Sequence, residues 1–207
     1  MVFDVGAHVG FVTLLAAHAN PDGEVHAFEP LPSNFERLKR NVALNQTANV
    51  VCNAVAAGAE EGSFELYHDG SGVPSSTSLS YDFMKDLVKA DLKSSTVSVI
   101  ALDHYIQERG IPRVDIVKVD TESTEPQVLR GMRQTLVRDH PTIFCEVLPG
   151  RGTDRQLEEI LGPLGYQFYH LKPSGPLHTE RIEPDSECMN YLFTVRDSEE
   201  LLGALSL

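Results

Sequence analysis

Two short stretches of the chain combine glycines and carboxylates at spacings that suit ligand chemistry. The first is Asp4-x-Gly6-x-x-x-Gly10, in which two glycines bracket a turn between an apolar run and an apolar segment of helical length. Glycine turns let main-chain N–H groups and a helix N-terminus approach a ligand closely. The second stretch, residues 118–125, follows another apolar run and is rich in carboxylates. A carboxylate beside a bound ligand can orient a reacting hydroxyl and remove its proton.

Glu29 adds a third acidic position, at the end of a predicted strand beyond the glycine turn. In dinucleotide-type folds an acidic residue about 20 positions after the glycines accepts hydrogen bonds from ribose hydroxyls. The turn and Glu29 together predict an adenosine-containing ligand. The simpler alternatives are an ordinary strand-to-helix turn and a surface carboxylate ahead of Pro30.

Asp4 narrows the choice of ligand. It stands two positions before Gly6, where its negative charge would repel a pyrophosphate. A carboxylate there can instead hold the ammonium of an amino acid, directly or through water. This favours S-adenosylmethionine, which carries an adenosine, a sulfonium and an amino-acid tail but no phosphate. The alternative is a nucleotide-binding protein of the Rossmann type.

The elements that must position these residues alternate between strands and helices, which predicts an α/β fold with a doubly wound, mostly parallel sheet. We predict main-sheet strands at residues 2–5, 24–29, 50–55, 114–120, 142–147, 166–171 and 190–195. We predict helices at residues 9–19, 33–45, 81–92, 125–137 and 154–161. The last two strands lack a crossover helix between them, so we expect them to be antiparallel neighbours.

The middle of the chain is less regular. Apolar and polar residues alternate over residues 63–67, which predicts an extra edge strand. The same alternation over residues 96–102 predicts another strand. Residues 68–80 are rich in Gly, Ser and Pro, which indicates a mobile loop and a candidate substrate lid. We expect this loop and the Pro/Gly-rich residues 172–189 to build the pocket of the substrate.

Composition restricts the partners and the location. The net charge of −13 makes nucleic acid a poor partner, because an acidic surface repels phosphate. No apolar run approaches the length of a transmembrane helix, and no signal peptide is evident. Three scattered cysteines fit unpaired thiols in a reducing compartment, so we expect a cytoplasmic protein. Homodimer formation is left open.

Six short motifs follow one another along the chain in the order found in a known protein family. They are Asp4-x-Gly6-Ala7-His8-x-Gly10, Phe28-Glu29-Pro30, Lys118-x-Asp120-x-Glu122-Ser123-x-Glu125, Val128-Leu129-x-Gly131, Phe144-Cys145-Glu146-Val147 and Asn190-x-Leu192-Phe193. Together they resemble the FkbM-type family of S-adenosylmethionine-dependent methyltransferases, over nearly the whole chain. His8 stands where the family usually has Asn, and Ser123 replaces the usual Gly, which is costly if the backbone there needs a positive φ.

The resemblance implies a class I methyltransferase fold, which is a Rossmann-like three-layer sandwich. Its sheet would have seven mostly parallel strands with the last strand antiparallel, in a single domain over residues 1–207. The chain starts inside its first strand, so we expect a fragment, a late-assigned start or a trimmed fold. The implied function is O-methylation of a hydroxyl on a sugar, glycolipid or polyketide-like small molecule. The alternatives are an N-methyltransferase and a module that binds cofactor without catalysis.

The implied site residues fall into two sets, and no metal site is expected. The cofactor set is Asp4, Gly6, Ala7, His8, Gly10, Glu29, Asn53 and Ala54. The catalytic set is Asp120, then Glu122, then Glu146. Lys118 points to the same face as Asp120 and is positioned to pair with a carboxylate. The alternative is a structural network in which Glu122 and Glu125 cap the following helix.

Overall fold

Runs of β-branched and aromatic residues alternate with helical segments in this computed structural model, which describes residues 1–72, 74, 76–88 and 92–197. The strands are β1 (Val2–Val5), β2 (Val25–Phe28), β3 (Val50–Asn53), β4 (Ala56–Ala57), β5 (Gly62–His68), β6 (Thr77–Ser78), β7 (Lys93–Ile100), β8 (Ile116–Val119), β9 (Thr142–Glu146), β10 (Gln167–Lys172), β11 (Gly175–Thr179) and β12 (Asn190–Thr194). The helices are α1 (Phe11–Ala19), α2 (Pro32–Leu44), α3 (Tyr81–Leu87), α4 (Leu102–Arg109), α5 (Glu125–Arg130), α6 (Arg133–Asp139) and α7 (Thr153–Leu161).

The larger sheet has the strand order β11-β10-β12-β9-β8-β1-β2-β3. Strands β3, β2, β1, β8 and β9 pair in parallel, whereas β12 pairs antiparallel with β9 and β10. The α/β class, the mainly parallel sheet and the antiparallel last strand are therefore confirmed. The strand number is wrong, because β11 adds an eighth strand at the edge. Pro176 lies in β11, and proline is tolerated at a sheet edge although it weakens the strand signal.

Side-chain alternation along β1 separates the two helical layers. Val2 packs with Ala17 of α1 on one face of the sheet. Phe3 and Val5 point to the other face and join the main core, which includes Leu129 of α5. All four residues of β1 are buried, as expected for a strand covered on both sides. The sheet is thus the middle layer of a three-layer sandwich.

A second sheet, with the order β4-β7-β5-β6, is built from the middle of the chain. Strand β5 pairs antiparallel with β7 along its whole length, from Gly62 with Val99 to His68 with Lys93. The prediction of an extra edge strand at residues 63–67 is therefore wrong in its placement. The alternation of these residues reflects pairing within this small sheet, in which the apolar Leu66 is buried with Val97 and Val99.

Two helix predictions need correction. The segment predicted as one helix over residues 125–137 forms α5 and α6, with a break at Gly131 and Met132. A Cβ atom at Gly131 would lie 2.0 Å from the Gly58 carbonyl oxygen, so close packing against the second sheet requires glycine there. The helix predicted over residues 81–92 ends at Leu87, and residues 89–91 lie outside the described part of the chain.

Among the helices of the described residues, none is both long and apolar enough to cross a bilayer. The three cysteines carry free thiols in the structure, and that of Cys145 is buried in the core.

Candidate active site

Four neighbouring parallel strands end in one row at the carboxyl edge of the larger sheet. Val5 of β1 pairs with Phe28 of β2 and with Val119 of β8. Val119 in turn pairs with Cys145 of β9. The residues that directly follow these four in the sequence are Gly6, Glu29, Asp120 and Glu146. The sheet register therefore brings residues from four distant parts of the chain to one edge, where open α/β sheets bind their ligands.

A small cleft, partly open to solvent, lies over this row. Its walls include Gly6, Glu29, Pro30, Asp120 and Thr121 from the larger sheet. Residues 77–79 of the second sheet form the opposite wall. The predicted lid segment therefore reaches the cleft through its last residues, whereas its mobility stays a prediction.

The glycine turn directs its main-chain N–H groups back into the chain. Gly6 and Ala7 both donate to the Phe28 carbonyl, at 3.1 and 3.0 Å, and Gly10 donates to the Ala7 carbonyl at 2.8 Å. A phosphate-binding turn offers such groups to the ligand instead. This geometry disfavours a pyrophosphate, in agreement with the sequence argument.

Both positions of the turn favour glycine, for different reasons. Gly6 has φ +78°, and a Cβ atom there would lie 1.9 Å from the Asp120 carbonyl oxygen. Gly10 has φ +92°, and a Cβ atom there would lie 2.6 Å from Leu38 Cδ1. Backbone contact excludes a side chain at Gly6, whereas at Gly10 the end of the Leu38 side chain could shift and the positive φ is the reason for glycine.

Glu29 presents a buried carboxyl group to the cleft. Only 3% of the residue is exposed. Its Oε2 accepts from the His8 N–H and its Oε1 from the Leu31 N–H, both at 2.9 Å. Burial raises the pKa of Glu29 to about 7, against the opposing effect of these two donors and of Lys118. Each oxygen keeps a further lone pair, so the carboxylate can still accept hydroxyl donors such as those of a ribose.

Asp4 lies beneath the cleft and is fully buried. Its Oδ2 accepts from Thr13 Oγ1 at 2.5 Å, and its Oδ1 lies 3.5 Å from Lys118 Nζ. The ammonium beside Asp4 in this structure therefore belongs to the chain. The predicted contact between Asp4 and a ligand ammonium stays a prediction.

The three candidate catalytic carboxylates meet at the same edge. Asp120 lines the cleft, its side chain is 41% exposed, and it pairs with Lys118 at 3.3 Å, which confirms the predicted pairing of that lysine. Burial, followed by the charges of Asp120, Glu122 and Glu125, raises the pKa of Glu146 to about 8. Burial also raises the pKa of Glu122. A partly buried carboxyl group whose pKa is raised by neighbouring carboxylates, as at Glu146, is typical of acid–base sites.

Glu125 supports the loop that carries Glu122. Its Oε1 accepts from the Thr121 N–H at 3.0 Å, the Thr121 hydroxyl at 3.1 Å and the Ser123 N–H at 3.1 Å. The Glu122 carbonyl accepts from the Ser78 hydroxyl at 2.6 Å. Glu125 therefore has a structural role in this loop, but it does not cap the following helix, because the N-terminus of α5 has no side-chain cap hydrogen bond. The role of Glu122 stays a prediction.

Ser123 has φ +83°, in the region that favours glycine. We expect Ser123→Gly to raise the free energy of unfolding by about 1 kcal/mol, because a side chain there strains the backbone. The bond to Glu125 comes from the backbone N–H and would be kept. Chemical denaturation of the two proteins measures the difference.

Ser98→Gly is the matched control for this substitution. Ser98 is exposed in β7 and has ordinary extended backbone, so glycine there should lower stability by about 0.5–1 kcal/mol. Equal losses in both variants would contradict the assignment of strain to Ser123.

The remaining predicted cofactor residues are placed differently. His8 lies in the turn with φ +51°, and its Nε2 is 3.0 Å from the Pro74 carbonyl oxygen, which also accepts from Asn34. The amide of Asn53 is directed away from the cleft, towards the backbone of β2 and the hydroxyl of Tyr105. Ala54 is exposed. The adenine contacts of Asn53 and Ala54 stay predictions.

Sequence patterns missed several supporting groups, namely Thr13, Asn34, Ser78 and Tyr105. None carries a motif, and each is defined by a contact between distant segments. Within the part of the chain that the structure describes, no group of three or more His, Cys, Asp or Glu residues is arranged to hold a metal ion.

Comparison with known proteins decides the family. The sequence model of a protein family, described as the Methyltransferase FkbM domain, matches residues 4–170 of this chain. The chain belongs to the FkbM methyltransferase family. This FkbM-family chain is 30% identical over 199 residues to 31-O-demethyl-FK506 methyltransferase FkbM of Streptomyces tacrolimicus, covering 86% of this chain and 75% of that protein.

Two further relatives are informative. The hexuronic acid methyltransferase AglP of Haloferax volcanii is 27% identical over 138 residues, covering 66% of the FkbM-family chain and 51% of that protein. The crystal structure of methyltransferase FkbM from Methylobacillus flagellatus superposes with a TM-score of 0.61 at 16% identity. That superposition covers 93% of this chain but 42% of the other, so it supports the fold of the shared region.

Proposed function

We propose that the FkbM-family chain transfers a methyl group from S-adenosylmethionine to a hydroxyl of a sugar, glycolipid or polyketide-like small molecule. One observation carries the cofactor assignment. Glu29 offers carboxylate lone pairs at the cleft, whereas Gly6, Ala7 and Gly10 keep their N–H groups within the chain. Such a site suits the ribose of a ligand that has no phosphate. The residues therefore fit S-adenosylmethionine.

The proposed cofactor contacts are the glycine turn of residues 6–10 and the Glu29 carboxylate, with Asp4 beneath them. Bound there, S-adenosylmethionine supplies a methyl group activated by a sulfonium. The chain must align the acceptor oxygen with that methyl, which is worth about 7–11 kcal/mol in favourable cases. It must also accept the hydroxyl proton.

Asp120 is the proposed base, because its partly exposed carboxylate lines the cleft beside Gly6. Glu146 lies at the end of the next strand and has a pKa of about 8, so it can take or return a proton near neutral pH. Glu122, which the sequence ranks second, with Glu146 third, lies on the loop that follows Asp120, and burial raises its pKa as well.

The acceptor class is supported by the relatives. One is named for 31-O-demethyl-FK506 and another for a hexuronic acid, which are polyketide-like and saccharide molecules with hydroxyl groups. For this chain we propose the same broad class. A cytoplasmic location and a homodimer remain further proposals.

We expect Glu29→Gln to weaken the affinity for S-adenosylmethionine by roughly 10- to 100-fold, because hydrogen bonds to a charged acceptor are lost. In the unchanged chain the affinity should rise as the pH increases through about 7, where Glu29 loses its proton. The variant should lack this rise, since glutamine does not titrate. Calorimetric titrations between pH 6 and 8.5 measure both effects.

Glu36→Gln is the matched control, because Glu36 is an exposed glutamate on α2. It should bind as the unchanged chain does. No detectable binding to the folded chain would contradict the cofactor assignment. Binding with transfer of a labelled methyl to amines would favour the N-methyltransferase, and binding without transfer to any acceptor would favour the inactive module.

A further inference from the structure

The ammonium of Lys118 lies between the glycine turn and two carboxylates. Its Nζ is 2.7 Å from the Gly6 carbonyl oxygen, 3.3 Å from Asp120 Oδ2 and 3.5 Å from Asp4 Oδ1. The side chain is only 16% exposed. The ammonium of Lys118 therefore contacts both Gly6, in the proposed cofactor turn, and Asp120, the proposed base.

The donors of Lys118 are used within the chain. Nζ donates hydrogen bonds to the Gly6 carbonyl at 2.7 Å and to the Val5 carbonyl at 3.4 Å, and it forms ion pairs with Asp120 and Asp4. Burial by itself would lower the pKa of Lys118, but Asp4 and Asp120 together raise it, so the ammonium stays charged at neutral pH. Lys118 therefore acts on a ligand through the groups that it contacts.

The peptide between Gly6 and Ala7 is bound from both neighbouring strands. Its carbonyl oxygen accepts from Lys118 of β8, and its N–H donates to the Phe28 carbonyl of β2. Gly6 lines the cleft. The ammonium is therefore one of the two groups that hold this peptide at the cleft.

We infer that Lys118 is a positioning residue that fixes the Gly6 carbonyl and the Asp120 carboxylate relative to each other. It thereby sets the affinity of the cleft for S-adenosylmethionine. This inference rests on the proposed function, because it assumes that the cleft takes that cofactor. A purely structural role would stabilise the fold without changing the affinity of the folded protein.

The test must avoid leaving Asp4 buried without a positive partner, since an unpaired buried charge destabilises a fold strongly. We therefore combine Lys118→Met with Asp4→Asn, which removes both charges together. Asp4→Asn alone is the comparator, because it keeps the contacts of Lys118 with Gly6 and Asp120. Lys39→Met is a control at an exposed lysine of α2.

Thermal unfolding first establishes that each variant is folded at the temperature of the titration. Calorimetry with S-adenosylmethionine then gives the dissociation constants. We expect Asp4→Asn/Lys118→Met to bind at least about tenfold more weakly than Asp4→Asn, as for loss of a charge-assisted hydrogen bond. Lys39→Met should bind as the unchanged chain does.

Two outcomes would overturn the inference in different ways. If the folded double variant binds within about twofold of Asp4→Asn, Lys118 has only a structural role and the proposed function is unaffected. If the unchanged chain does not bind S-adenosylmethionine, the proposed function fails and the inference fails with it.

Discussion

Asp120→Asn is expected to slow methyl transfer by about 10²- to 10⁴-fold, the usual contribution of a positioned acid or base. Asparagine has nearly the same shape, so its oxygen can still accept from Lys118, but it cannot take the proton of the acceptor hydroxyl. The affinity for S-adenosylmethionine should change much less. Initial rates of methyl transfer to a hydroxyl acceptor, with calorimetry of cofactor binding, separate the two quantities.

Asp22→Asn is the control for Asp120→Asn, because Asp22 is exposed in the turn after α1. It should leave the rate and the affinity unchanged. Unchanged turnover in Asp120→Asn would remove Asp120 as the base. Glu122 and Glu146 would then be the remaining candidates, and the pKa of about 8 at Glu146 predicts, if it is the base, a rate that rises with pH through that value.

Gly6→Ala is expected to lower the free energy of unfolding by about 2–5 kcal/mol. The new Cβ would lie 1.9 Å from the Asp120 carbonyl oxygen, and the backbone has φ +78°. The left-handed backbone costs about 1–2 kcal/mol and the steric overlap about 1–3 kcal/mol. Because the overlap is with backbone, relief requires β1 and β8 to separate at the cleft, so the variant should also lose cofactor affinity.

Gly162→Ala tests whether the loss is specific to that position. Gly162 has φ −55°, and a Cβ atom there would have no neighbour within 4 Å, so alanine should be neutral or slightly stabilising. Denaturant unfolding measures both variants. A loss below about 1 kcal/mol in Gly6→Ala would contradict the close approach of the turn to Asp120.

Local patterns were sufficient for the parallel core and for the glycine turn of residues 6–10. Buried strands read as apolar runs, and glycines mark positions where the backbone has a positive φ or a close neighbour. For this reason Gly6 and Gly10 follow from residue type, whereas the strain at Ser123 was expected only because the resembling family usually has glycine there. The position of Glu29 at the end of β2 follows from the spacing of the elements.

Contacts between distant segments were beyond the reach of these patterns. The small second sheet, the edge strand β11 and the orientation of Asn53 depend on pairing partners that local alternation does not name. The sequence indicates that Asp4 is acidic, but not that Lys118 lies beside it. That pairing arises because β1 and β8, more than 100 residues apart in the sequence, are neighbours in the sheet. The charge environment of the site is therefore set by sheet order, whereas the residue types that could serve it are readable along the chain.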